Sequence, residues 1–219
     1  QDVKANALLG LGEICLRQSF GSDALKHLRN GLNLFLKEKN FVGAAKCENL
    51  MGSLYGNKGE FEKARAHFEN ALKMVDASKE KSLAGMIEGN LAIVSQAQKD
   101  YNTAFAYHYR ALNNFEQIND NKGIALARYN LGFLFLHKKE YDSALVEFDL
   151  SISASMKNKN LSSLNVSFLG ISETYVRLKD LPLAIAFADK ALEISFKIND
   201  RLTIADSYKI KGIIHRELK

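Results

Sequence analysis

Residues 131–148 read LGFLFLHKKEYDSALVEF. The stretch puts Gly132 inside a run of strong helix formers and Ala144 in a second such run twelve residues later. Glycine in a helix interior costs roughly 1 kcal/mol relative to alanine, so a glycine with a packing purpose should recur. At steps of forty residues stand Gly12, Gly52, Ala92, Gly132, Ser172 and Gly212, all of them small. The same step through Ala144 gives Ala24, Ala64, Ala104 and Ala184. Leu11, Met51, Leu91, Leu131 and Ile171 stand just before the small residue, and Leu32, Leu72, Leu112, Ile152 and Leu192 follow it by twenty. A fixed period without insertion or deletion is the signature of a solenoid of stacked repeats.

Composition agrees with this reading. Of 219 residues, 47% are apolar and 25% charged, the balance of an ordinary folded chain. No apolar run approaches the roughly 18 residues of a membrane span, and no low-complexity linker interrupts the register. One elongated domain is therefore expected over 1–219, with repeats at about 1–40, 41–80, 81–120, 121–160 and 161–200 and a last helix at 201–219. The chain opens QDVKANALLG, already in a helical pattern, and ends IIHRELK where the next turn is due, which reads as a fragment of a longer protein. With no export signal in view, the cytoplasm is the default expectation.

Each repeat holds two amphipathic stretches, helix A and helix B, with apolar positions three and four apart. Helix A ends at NKGEF (57–61), QKDY (98–101), HKKEY (137–141) and LKDLP (178–182). Polar turns LKEKN, QINDN, MKNKN and KINDR separate the repeats. Asp100 and Asp180 suit the N-cap of the following B helix, and Pro182 sits just inside a helix start, where its missing N–H costs nothing. The count is eleven helices of about seventeen residues, five pairs and a final A helix, in an all-α superhelix with B helices on the convex side.

The order of small residue, Leu or aromatic at the turn, Ala, aromatic, Ala and Leu resembles the tetratricopeptide repeat over essentially the whole chain. YNLGFLFLHKKEYDSALVEFDLSI is its best single match. The common unit of that family is about 34 residues, so the longer period here implies longer helices, roughly 25 Å each. The longer variant resembles the arms of bacterial transcription regulators, of peptide-sensing phosphatases and of cell-polarity adaptors. Gly21 and His108 depart from the aromatic pattern, and Glu48, Glu88 and Arg128 put charge where a bulky apolar residue opens helix A. The resemblance implies that the small residues mark the crossing of helices A and B.

Chemistry-bearing motifs are sparse. Cys15 and Cys47 lie on apolar faces of consecutive A helices without C-x-x-C spacing; buried thiols are the bland reading and a disulfide the alternative. His27 and His67, one repeat apart, could face each other, yet two imidazoles alone make a poor metal site. The glycines fall inside helices rather than in a phosphate-cradling loop. No catalytic residue, cofactor or metal is expected. Net charge is +5, with +3 in the last nineteen residues, which a solvated terminal helix explains. No basic stripe runs along the repeats, as a nucleic-acid groove requires.

In the family that the chain resembles, helix A lines a concave groove that takes a peptide or a partner helix. Offsets −6, −3, −2, +1 and +5 from the small residue share about 100° of arc on helix A. They contribute Asn6, Glu13, Arg17, Lys46, Asn49, Ser53 and Asn57 in the first two repeats. The middle repeats contribute Met86, Asn90, Ile93, Leu126, Tyr129, Asn130, Phe133 and His137, and the last ones Val166, Leu169, Glu173, Arg177 and Lys209. Apolar side chains on a face that should meet water point to a binding surface, against the bland alternative that neighbouring A helices cover them. The resemblance implies that Asn90 and Asn130 hold the main chain of a bound peptide; a solvated amide, or one bonded to the next A helix, is the bland alternative. Three functions stay open: a peptide- or protein-binding module in a larger regulatory protein, a self-association arm, and RNA binding.

Overall fold

The computed structural model describes residues 2–75 and 79–217. Among them the chain is all-α, with eleven helices and no strand. Contacts gather into two compact units, Gln1–Ile118 and Asn119–Lys219. The first holds α1 (Asp2–Arg17), α2 (Gly21–Lys37), α3 (Phe41–Asn57), α4 (Phe61–Met74), α5 (Lys81–Ala97) and α6 (Tyr101–Gln117). The second holds α7 (Asn121–His137), α8 (Tyr141–Lys157), α9 (Leu161–Leu178), α10 (Leu181–Lys197) and α11 (Arg201–Glu217). Odd-numbered helices are the A helices of the repeats and even-numbered ones the B helices.

Helix ends fall at the expected turns. Asp100 accepts from the Thr103 amide at 3.2 Å and Asp180 from the Leu183 amide at 3.2 Å, both N-caps. Asn40, Asp120 and Asn160 cap A helices in the same way. A device that the sequence does not announce recurs at steps of twenty residues, with one step of forty between Gly59 and Lys99: Ser19, Lys39, Gly59, Lys99, Asn119, Lys139, Lys159, Lys179 and Asn199 all have positive φ. One left-handed residue turns the chain from each of these helices into the next. Helix α4 departs from the expected length. It spans 14 residues and stops at Met74, after which Val75 takes an extended backbone.

Gly12, Gly52, Gly132 and Ser172 stand at helix crossings, whereas a Cβ on Gly212 would meet nothing within 4 Å. A Cβ on Gly12 would lie 2.6 Å from Leu28, one on Gly52 2.6 Å from Phe68, and one on Gly132 2.7 Å from Phe148. Ser172 makes the crossing explicit by donating its hydroxyl to the Ala184 carbonyl at 2.7 Å. Ala24, Ala64, Ala104, Ala144 and Ala184 are fully buried. The helix propensity lost at glycine is thus offset by close packing of a large side chain from helix B.

The charged residues that open helix A are met by their own B helix. Glu48 Oε2 lies 2.5 Å from His67 Nδ1, Glu88 receives Arg110 at 2.7 Å and Asn114 at 2.8 Å, and Arg128 reaches Glu147 at 3.1 Å. Pairing is what makes burial of these groups tolerable. His67 is engaged here, and its ring also stacks on Tyr55 at 5.2 Å. Cys15 and Cys47 are both free thiols. Burial, with Glu48 and Glu13 nearby, pushes the Cys47 thiol up to about 12.

Within each unit an A helix touches the next A helix: α1 meets α3 and α3 meets α5, while α7 meets α9 and α9 meets α11. B helices touch only A helices among the described residues of a unit. The A helices therefore form one continuous layer in each unit, to which the B helices attach singly.

Candidate functional site

The free face of α7, α9 and α11 forms a groove of about 810 Å³. Helix α9 lines it with Val166, Leu169, Glu173 and Val176, and α11 with Asp206, Lys209, Ile213 and Arg216. These two sets are forty residues apart, position for position. Each follows the spacing i, i+3, i+7, i+10 that keeps side chains on one helix face. Tyr129 and Phe133 close the α7 side, and Arg177, Lys179 and Ile210 complete the lining.

The aromatic wall is fixed from behind. Tyr129 and Phe133 meet edge to face with ring centroids 5.0 Å apart. Phe133 lies edge-on to Phe148 at 5.6 Å, and Tyr129 tilts over the same ring at 6.1 Å. Phe148 in turn is held between Gly132 and Gly170, where added Cβ atoms would lie 2.7 Å and 2.5 Å from it. Gly132 of the repeat series and Gly170, two residues before Ser172, thus set the position of a core ring, and that ring sets the groove wall. Burial, with Asp206 and Glu173 nearby, pushes the Tyr129 phenol up to about 12.

The residues proposed from sequence divide between the two units. In the second, Tyr129, Phe133, Leu169, Glu173 and Arg177 come together in the groove, joined by Val166 and Lys209. Glu173 and Arg177 form an ion pair at 3.3 Å. Leu169, expected to face water, is only 8% exposed. Tyr129 and Phe133 are half-buried because they pack against the Phe148 cluster. Leu126 stands exposed at 54%, Asn130 is half-buried, and His137 borders a smaller pocket of about 110 Å³. In the first unit Met86 and Ile93 are exposed at 47% and 51%. Asn90 donates its amide to Asn49 Oδ1 at 2.8 Å, which links α5 to α3. One amide hydrogen of Asn90 is therefore spent inside the fold, as in the bland alternative above.

Six lining residues escaped the sequence reading: Val176, Lys179, Asp206, Ile210, Ile213 and Arg216. The forty-residue step itself leads from Val166, Gly170 and Glu173 to Asp206, Ile210 and Ile213. Val176 and Arg216 lie just outside the assumed arc. Among the described residues no group of three or more His, Cys, Asp and Glu gathers to hold a metal ion, and no helix is long and apolar enough to cross a membrane.

Paired antiparallel helices of one repeating register, with small residues at the crossings and a groove on the A face, define a helical-repeat protein. Tetratricopeptide-repeat models match residues 83–154 and 49–74. Those two stretches carry tetratricopeptide-repeat sequence. Similar solved structures include a STAND-class signal-transduction ATPase with a tetratricopeptide-repeat sensor from Pyrococcus horikoshii, at 14% identity and TM-score 0.81 over 93% of this chain and 31% of that one. A Rap protein complexed with competence and sporulation factor has 18% identity and TM-score 0.71, over 99% of this chain and 65% of that one. YrrB, a TPR protein with an unusual peptide-binding site, has 20% identity and TM-score 0.54, over 92% and 90%. At these identities the likeness shows the fold. Among curated proteins no sequence matches significantly.

Proposed function

We propose that this chain is a protein-interaction module whose α7–α9–α11 groove holds an extended peptide or an amphipathic helix of a partner. The observation that carries the reading is the groove of about 810 Å³, in which Tyr129, Phe133, Val166, Leu169, Ile210 and Ile213 give apolar surface between charged edges. That volume and mixture are typical of ligand sites, and an apolar groove with polar edges is the usual receiver of an amphipathic segment. The YrrB peptide-binding site and the factor held by the Rap protein support the same use of the fold. By analogy with the repeat sensor of the STAND ATPase, the module serves as the sensing or scaffolding arm of a larger signalling or transcription-regulating protein.

The test is selection of phage-displayed random dodecapeptides on the 219-residue chain and, in parallel, on an Ile213→Asp variant whose helicity is checked by circular dichroism. Peptides retained by the first and lost on the second are expected. Equal retention would put the binding surface elsewhere, and no enrichment at all would count against the module.

A further inference from the structure

The groove carries charge that its apolar walls do not require. Four cations line it, Arg177, Lys179, Lys209 and Arg216, against two carboxylates, Glu173 and Asp206. Glu173 already holds Arg177 at 3.3 Å. Both carboxylates also lie close enough to Tyr129 to help keep its phenol protonated. Lys209 and Arg216 stand exposed on α11, two turns apart on one face, with Ile213 between them along the same edge. The smaller pocket shares Phe133, Glu173 and Arg177 with the groove and adds His137 and Lys139. Positive charge therefore continues along the edge formed by the C-terminal ends of α7, α9 and α11. The +3 of the last nineteen residues, which the sequence alone assigns to a solvated helix, is in part aimed at the groove.

We infer that the segment taken by this groove is an acidic peptide with apolar anchors. Its apolar side chains lie against Phe133, Ile210 and Ile213, and its carboxylates reach Lys209, Arg216 and Arg177. The inference rests on the groove reading above and names the chemistry of its occupant. A basic segment would bring like charges together, which costs affinity and excludes wrong partners. A nucleic acid would meet the same cations, but Glu173, Asp206 and the isoleucine floor oppose a phosphate backbone, which needs cations along its length. Each exposed pair contributes little alone and is screened by salt, so several must act together.

The experiment reads the charge of the dodecapeptides that the 219-residue chain enriches from a random library, then the Kd of the most enriched peptide. Acidic peptides with at least one Leu, Ile or Phe are expected. Their Kd should rise about tenfold or more in the Lys209→Glu/Arg216→Glu variant, as charge pairs across an interface allow. If that variant fails to keep its helicity, the wild-type chain gives a second readout: the Kd should rise steadily with added sodium chloride, and a salt-independent Kd overturns the inference. Neutral or basic peptides that are lost on Ile213→Asp would overturn the acidic occupant and leave the groove reading standing. Acidic peptides retained by Ile213→Asp would overturn both. A labelled oligouridylate that binds more tightly than any enriched peptide would also overturn the inference.

Discussion

Phe148 stands so close to Gly170 that a Cβ there would lie 2.5 Å from the ring. Gly132 meets the same ring from α7. Alanine is the better helix former at both sites by about 1 kcal/mol, but overpacking a filled crossing costs about 1–3 kcal/mol. Gly132→Ala and Gly170→Ala should therefore each lower stability, by up to about 2 kcal/mol. Gly89, with nothing within 4 Å of its Cβ position, should show the opposite sign, and Gly89→Ala should gain about 0.5–1 kcal/mol. Urea unfolding of the three variants checks the contrast, and destabilisation by Gly89→Ala would contradict it.

His108 fills the position of Phe68 and Phe148 one repeat away, and both its ring nitrogens are buried without a hydrogen-bond partner. Burial lowers its pKa from 6.5 to about 4. Because the unfolded chain takes up this proton first, stability is full above about pH 6.5 and falls as the pH drops toward 4, where the folded state is protonated too. The contribution across that window is on the order of 3 kcal/mol. In the forty-residue register Ala92 stands to His108 as Gly52 stands to Phe68, so the Ala92→Gly/His108→Phe pair should recreate the Gly52–Phe68 contact. The double variant should be more stable than wild type by about 1–3 kcal/mol at neutral pH, and its advantage should widen at pH 5. Parallel pH profiles for the two proteins would contradict the assignment.

Lys99 holds a left-handed backbone, φ 63°, at an exposed turn. An L-residue pays about 1–2 kcal/mol there, partly balanced by the greater entropy that glycine loses on folding. Lys99→Gly should raise stability by about 0.5 kcal/mol, read as a higher midpoint in urea at unchanged slope.

The helices, their register and the small residues at the crossings were legible because a forty-residue step repeats them without error. Asp100 and Asp180 were legible as caps because their side chains act on the nearest turn. The left-handed turn residues were not, since five of the nine are lysine, which carries no signal for that conformation. Nor were the pairs Glu48–His67, Glu88–Arg110 and Arg128–Glu147, which depend on how helix B is rotated against helix A. On the groove, periodicity placed Tyr129, Phe133, Leu169 and Glu173 on one arc. It could not show that Phe148 and its neighbours would draw Tyr129 and Phe133 partly into the core, or that Leu169 would be buried.

The most direct measurement is hydrogen–deuterium exchange of the 219-residue chain, alone and saturated with a peptide enriched on it. The account expects slowed exchange in α7, α9 and α11, over residues 121–137, 161–178 and 201–217, with α1 to α4 unchanged. Protection confined to residues 2–74, or none at saturation, would contradict it.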